Sequence, residues 1–336
     1  MSTVADIEIR GIATPGVAPS EGAGHRPVLL HPLIENLQPR PGQTVVDGTL
    51  GAGGVTAALL ARVQPDGRVL AIDRDPVAVE RARTYFAGHK GAVIVEHDDF
   101  ANLGKILRRH HIDAVDGIAL DLGISSVQLD DPMRGFGFRH DGPLDMRLDP
   151  KAPGVTAADI VNHFSEGELT RVIRTYGEER FASSITRAIA RRRSEQPITT
   201  TTELRELIER AIPRRYWPKR IHPATRTFMA LRIEVNHELD SLERGLQAAI
   251  NELRPGGRLG VIAFHSLEDT LVKNALHVAA QNCLCPPQQP ICTCAHRASL
   301  FLLTRKAIKA SPAELAVNPR ARSARLRVAE KLDPDA

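Results

Sequence analysis

The chain has 336 residues, 42% of them hydrophobic, and a formal net charge of +4 at neutral pH. That length holds one large domain or two ordinary ones, and the hydrophobic content is close to the globular norm. Its apolar runs, such as "VLAI" and "VIAF", are too short to span a bilayer, which excludes a helical membrane protein.

The first 24 residues carry early acids and no apolar core, so they do not read as a signal peptide. Their Gly, Ala and Pro content predicts a disordered tail, and the expectation is a soluble cytoplasmic protein. Short apolar segments follow: "TVVDG", "RVLAID", "AVIVEHD" and "GIALDLG". They suit strands buried on both faces of a parallel sheet. Helix-length segments separate them: "VTAALLARV", "PVAVERARTYF" and "FANLGKILRRH". This β-α-β rhythm predicts an α/β domain.

The rhythm stops after Leu122 and resumes at "RLGVIAFH". Between them, "TAADIVNHF", "SEGELTRVIRTYG", "EERFASSITRAIARRRS" and "TTELRELIERAI" read as helices. From Phe228 the apolar residues Leu231, Val235, Leu239, Leu242, Leu246 and Ile250 recur every three or four positions, predicting one long helix. The segments "LFLLTRKAIKA" and "ARLRVAEKL" then predict a closing antiparallel pair. The expected organisation is a tail over 1–24, a sheet domain over 25–130, a helical insert over 131–224, and the rest of the sheet domain over 225–336.

The stretch "VVDGTLGAGG" is the richest in chemistry. A phosphate-cradling loop needs a Lys-Ser/Thr pair after its glycines, and Val55 and Thr56 stand there instead. A dinucleotide fingerprint needs a third glycine that is missing here, although Asp73 has the spacing for a ribose acceptor. Asp47, just before the loop, would repel a pyrophosphate. A nucleoside with a cationic tail, such as S-adenosylmethionine, suits this pattern better. In "HDDF", Asp98 or Asp99 can accept from an adenine amino group, and Phe100 can cover the ring. "LRPGGRLGVIAF" enters the fifth strand through a Pro-Gly-Gly turn.

These segments, with "AIDRDP", "ALDLGISSVQLDDPMRGFGFRHDGPLDMR", "TYGEERFASSITRAI", "HPATRTFMALRIEVNHEL", "FHSLED" and "NPRARSARLRVAEK", resemble the bacterial ribosomal RNA small-subunit methyltransferase H family. The resemblance runs from about residue 25 to 331. It implies a class I S-adenosylmethionine-dependent methyltransferase fold, a Rossmann-like and mostly parallel sheet with an inserted helical substrate-binding domain. It implies methyl transfer to the exocyclic N4 of a cytidine in 16S ribosomal RNA near the decoding centre, the RNA being presented within the small ribosomal subunit. Carried over by motif, the cofactor contacts fall on Gly53, Gly54, Val55, Asp73, Phe100, Asp121 and Gln128. The family often has His where this chain has Val55. A backbone contact survives that change and a side-chain contact does not.

Methylating a cytosine amine requires a hydrogen-bond acceptor beside the transferred methyl, because the nitrogen lone pair is delocalised. Asp121, Ser125 and Ser126 in "LDLGISS" are the catalytic candidates, with His265 secondary. Asp121 can equally anchor the cofactor's amino group. "RGFGFRHDGPLDMR" reads either as a mobile loop that closes over a base or as a structured connector. From Arg171 to Arg232 there are 15 Lys/Arg against 6 Asp/Glu, consistent with a polyanion partner; Arg191, Arg192 and Arg193 are candidate phosphate contacts. All four cysteines lie in "CLCPPQQPICTC". Two C-x-C pairs could supply four thiolates to a structural zinc, although this spacing is tighter than the usual C-x-x-C, and no metal is assigned among the site residues. A nicotinamide dehydrogenase and a non-catalytic assembly factor are the rival functions. The intact glycine loop and Asp73 argue against the second.

Overall fold

A computed structural model describes residues 27–334 except 287 and 290, so the expected tail over 1–24 lies outside the described residues. The chain alternates strands and helices at first. The strands are β1 (Thr44–Asp47), β2 (Arg68–Asp73), β3 (Val93–His97) and β4 (Val115–Asp121). They are preceded or separated by α1 (Leu30–Leu37), α2 (Gly54–Val63), α3 (Pro76–Tyr85) and α4 (Leu103–Arg109). Helices α5 (Ser126–Asp130), α6 (Ala157–His163), α7 (Glu166–Gly177), α8 (Ala182–Glu195), α9 (Thr201–Ala211), α10 (Thr225–Asn236) and α11 (Glu238–Glu252) follow without a strand between them. The chain ends with β5 (Leu253–Ala263), α12 (Ser266–Ala279), β6 (Leu300–Leu302), α13 (Pro312–Val317) and β7 (Arg325–Lys331).

The seven strands form one sheet in the order β3-β2-β1-β4-β5-β7-β6. The first five are parallel, and β7 runs antiparallel between β5 and β6. The chain order reverses at β1, where neighbours lie on both sides, and open sheets of this kind bind ligands at such a switch point. All four residues of β1 are buried, as strands covered on both faces require. One face packs Leu103, Ile106 and Leu107 of α4, Leu242 and Leu246 of α11, and Val272 and Leu276 of α12. The other packs Leu33 and Leu37 of α1 with Val55, Leu59 and Val63 of α2. A third cluster, separate from the sheet, is built from α6 to α9 and continues past residue 224 into Phe228 and Leu231 of α10.

Three details differ from the sequence expectations. The apolar stripe from Phe228 to Ile250 is not one helix. His237 adopts a left-handed conformation (φ 49°) and divides α10 from α11. Asn236 enforces the break: its side chain donates to Met146 O and Arg232 O and accepts from Leu148 N. Phe228 and Leu231 thereby serve the helical core, whereas Leu242, Leu246 and Ile250 serve the sheet core. The Pro-Gly-Gly segment is an excursion within β5 and not its entry. Leu253 already pairs with Val115, and pairing resumes at Arg258 opposite Gly117. Finally, the closing antiparallel pair forms, but only Leu300–Leu302 of its first segment is strand, with α13 in the connection.

Candidate active site

A cavity of about 480 Å³ opens at the carboxyl ends of β1, β2 and β4, roofed by α10 and α11. That volume suits a nucleoside-sized ligand. Its floor is the loop after β1. Gly48 passes so close to β4 that a Cβ there would lie 2.4 Å from Leu120 Cδ2. Gly51 and Gly53 have positive φ (51° and 84°), which favours glycine at both. Two hydrogen bonds fix the loop to its neighbours: Gly51 N donates to Asp73 Oδ2 (2.7 Å), and Asp121 N donates to Thr49 Oγ1 (2.6 Å).

Asp47 does not reach the cavity. It is fully buried beneath the loop, where Thr56 Oγ1 (2.6 Å) and Thr49 N (3.1 Å) donate to it. Burial pushes its carboxyl up to about 6, despite the Thr56 hydrogen bond. Asp73 lies on the cavity wall at the end of β2. Its oxygens accept from Gly51 N and Asp75 N (2.8 Å), yet burial raises it to about 6 as well. The N-cap of α3 is not Asp73 but Asp75, which accepts from Val77 N.

Asp121 ends β4 on the same wall, and its Oδ1 is buried with no hydrogen-bond partner. Burial, then the charges of Asp47 and Glu268, push it up to about 8. An unpartnered buried carboxylate oxygen is costly, and a cationic or donating ligand would relieve that cost.

Ser125, Ser126 and Gln128 follow on the wall at the start of α5. Ser125 and Gln128 form a reciprocal capping box. Gln128 also donates to Asp75 Oδ2 (2.8 Å), which Arg134 Nη1 shares at 2.6 Å. The Gln128 amide is therefore already engaged at both ends, and its first effect is to hold α5 against α3. Phe100 lines the opposite wall; Gly245 of α11 makes room for its ring, since a Cβ there would sit 2.3 Å from Cδ2. Of the adjacent acids, Asp98 lines the cavity, whereas Asp99 accepts from Ala101 N and Ser241 Oγ (2.7 Å).

Gly54 and Val55 line the cavity at the first turn of α2. Val55 is only 4% exposed and packs in the sheet core, which leaves chiefly its backbone for a ligand. Gly53 is not on this wall. It faces Phe86 in a neighbouring groove, and its role is to turn the chain into α2.

The segment 134–147 is a structured connector and not an aromatic lid over the cavity. Phe136 is buried in the helical core, and Phe138 packs edge-on against Phe228. Arg134 binds Asp75 and the carbonyls of Arg147 and Leu148, and Arg147 pairs with Asp145. Of the arginine triplet on α8, only Arg191 is exposed. Arg192 pairs with Glu203, and Arg193 donates to Val161 O (2.8 Å).

Arg232, Glu238 and Glu268 are wall residues that the sequence pattern does not single out. Arg232 and Glu238 flank the helix break and form a bidentate pair at 2.8 Å on both arms. Glu268 joins His265 in the capping box of α12, and both face the cavity. Burial pushes Glu268 up, but the His265 hydrogen bond and the His265 and Arg232 charges outweigh it, leaving it lowered. Glu238, His265 and Glu268 bring potential ligand atoms within 4.8 Å of one another. Arg232 and the capping box already engage their carboxylates, so a metal is not needed to explain them. The stretches "HPATRTFMALRIEVNHEL" and "FHSLED" carry these residues, but their roles depend on a helix break the pattern hides.

Residues 22–332 match the model of the MraW methylase family. The chain belongs to that family. Ribosomal RNA small subunit methyltransferase H of Syntrophotalea carbinolica is 50% identical over 308 residues, covering 92% of this chain and 98% of that one. The protein of the same name from Geobacter sulfurreducens is 50% identical, with 92% and 99% covered. That of Carboxydothermus hydrogenoformans is 48% identical, with 92% and 98% covered. As an MraW-family methylase, the chain has the class I S-adenosylmethionine-dependent methyltransferase fold, and the seven-stranded, mostly parallel sheet is its framework.

Proposed function

We propose that this protein transfers the methyl group of S-adenosyl-L-methionine to the exocyclic N4 of a cytidine in 16S ribosomal RNA near the decoding centre. The setting is the cytoplasm, and the RNA is presented within the small ribosomal subunit. The relatives' shared name supports the class of substrate. The observation that carries the chemistry is Asp121: an unpartnered buried oxygen at the carboxyl edge of the sheet, on one wall with Asp73. Asp73 and Asp121, raised to about 6 and 8 chiefly by burial, leave this wall short of compensating positive charge. A pyrophosphate would worsen that deficit, whereas a sulfonium and an ammonium group correct it. Among the described residues no helix is long and apolar enough to cross a membrane.

The bound cofactor supplies an electrophilic methyl group on a cationic sulfur. The chain's own residues supply placement. Gly54 and Val55 offer backbone at the first turn of α2, and Asp73 accepts from ribose hydroxyls. Phe100 covers the adenine, and Asp98 accepts from its amino group. Gln128 holds the α5 wall in place. Asp121 accepts either from the cofactor's ammonium or from the cytosine amine, orienting that nitrogen for attack. Ser125 and Ser126 stand beside it as further acceptors. Ser125 Oγ already caps α5, accepting from Gln128 N at 3.3 Å, so Ser126 is the freer of the two. His265 lies across the cavity, its buried Nε2 3.1 Å from Glu268 Oε1.

The insert over 131–224, together with α10, is the RNA-binding unit. Arg187 and Arg191 share an exposed face of α8, with no ion pair among the described residues. Nearby, Arg180 lies over the Phe181 and Tyr216 rings, Arg215 over Tyr216 and Arg214 over Trp217. Tyr216 is 42% exposed. Stacked cations around a partly exposed aromatic suit contacts with RNA phosphates and bases. The test is transfer of labelled methyl from S-adenosylmethionine to unmethylated small subunits and to naked 16S RNA, with nucleosides analysed after digestion. N4-methylcytidine formed by the wild type and lost in Asp73→Ala is expected. Label on another nucleoside, or on none, would refute the proposal.

A further inference from the structure

Between α12 and β6, none of the described residues of 280–299 lies in a helix or strand. Connections this long are uncommon in compact domains unless something orders them. Among the described residues no apolar core does so here: Leu284 and Ile291 are 45% and 75% exposed. Yet all four cysteines of the chain converge in this loop, their sulfurs within 4.8 Å of one another.

The geometry points to a structural zinc site formed by Cys283, Cys285, Cys292 and Cys294, none of which lines the methyl-transfer cavity. Zn–S bonds of about 2.3 Å at tetrahedral angles place neighbouring sulfurs about 3.8 Å apart. Cys283, Cys292 and Cys294 form a triangle with edges of 3.4, 3.6 and 3.7 Å. Disulfide-bonded sulfurs would lie at about 2.05 Å, and one sulfur cannot bond two partners that way. Three backbone amides point at sulfur: Leu284 N to Cys294, Cys285 N to Cys283 and Thr293 N to Cys285, at 3.3 to 3.4 Å. Amide donors of this kind stabilise metal-bound thiolates and fix their orientation. The C-x-C spacing is tight, but the two pairs approach from opposite arms of the loop and close the set without help from elsewhere. At the base of the loop, His296 Nε2 lies 3.0 Å from Val278 O, and Ala298 N donates to Asn282 Oδ1. The ion would thus clip the loop shut above the end of α12.

The full chain, purified without chelator under reducing conditions, should carry one zinc per molecule by elemental analysis. Cobalt(II) added to stripped protein should give the visible absorption and thiolate charge-transfer bands of a tetrahedral four-sulfur site. Zinc should abolish those bands by competition. Cys285→Ser/Cys294→Ser should lose the metal and the spectrum while S-adenosylmethionine affinity stays within about twofold. Asp73→Ala should keep the zinc, separating this site from the cofactor cavity. Should the double variant fail to fold, the wild-type cobalt spectrum decides alone. Wild-type protein without bound zinc and without the cobalt bands, or one whose intact mass reveals cysteine bridges under these conditions, would overturn the assignment.

Discussion

At the scale of single residues, the site is a set of acids that the fold buries before a ligand arrives. Asp121 is the extreme case. Its carboxyl, raised to about 8, is protonated at neutral pH in the ligand-free cavity. A cationic ligand prefers the carboxylate, so binding must release a proton below that pH. Affinity for S-adenosylmethionine should rise as pH increases towards 8 and level off above it. Asp121→Asn should flatten this dependence; a flat profile in the wild type would remove Asp121 from contact with the cofactor's charge. The same shift acts on stability. A carboxyl raised above its ordinary value of 3.8 stabilises the fold fully below that value. The contribution is lost progressively as pH rises through about 8. Ligand-free protein should therefore lose stability between these limits, and the Asn variant should lose less, as thermal unfolding across pH will show. Kinetics separate the two roles of Asp121. Loss of alignment lowers single-turnover transfer by roughly 10²-fold at unchanged Kd; loss of anchoring raises Kd instead.

Asp73 gives a second test at this scale. Removing a charged acceptor costs about 1.5–3 kcal/mol, so Asp73→Ala should weaken cofactor binding by roughly ten- to a hundredfold in calorimetry. Unchanged affinity would refute the ribose assignment. The place of Asp73 on the cavity wall was legible in the sequence because an acid ending a strand, 19 residues past Gly54, falls at the ligand-binding edge of such a sheet. Arg232 and Glu238 were not legible. Their side chains meet only because the chain kinks between them, and periodicity carries no trace of that.

Elements show the same division. Strands β1, β2 and β4 stand out because burial on both faces demands largely apolar runs, β3 keeps an apolar run although it is only half-buried at the sheet edge, and the turn residues around them are distinctive. The α10–α11 break does not stand out, since both helices keep their apolar residues in one continuous stripe while packing on different cores. Asn236 holds the break with three hydrogen bonds. Asn236→Ala strands the half-buried Leu148 amide and the buried Met146 carbonyl, and should cost about 1–3 kcal/mol in chemical denaturation. It should also weaken cofactor binding, because Leu148, Arg232 and Glu238 form the cavity wall. On α8, exposure separates arginines that look equivalent in sequence. Neutralising Arg187 and Arg191 should reduce the salt dependence of RNA binding, its slope falling by about 0.7–0.9 for each phosphate no longer neutralised. Replacing Arg192 and Arg193, which are engaged within the protein, should lower stability and leave most of that slope. The opposite ranking would place the RNA elsewhere.

Over the whole molecule, a sheet domain supplies the cavity floor while α10 and α11 supply its roof. The helical cluster of α6 to α9 shares its core with Phe228 and Leu231 of α10, the same helix that roofs the cavity. The alternation of strand and helix made the sheet readable, and the long helical gap made the insert readable. The extent of the insert was less so, because Phe228 and Leu231 belong to its core although they lie beyond residue 224. If this cavity methylates one cytidine of 16S RNA at N4, the mark must vanish with the protein. Nucleoside and fragment mass spectrometry of small-subunit RNA from a strain lacking the gene reads this directly. One methyl mass should be missing from a single cytidine near the decoding centre, restored by the wild-type protein and not by Asp73→Ala. An unchanged methylation pattern in the deletion strain, or a loss at another base, would contradict the proposed activity.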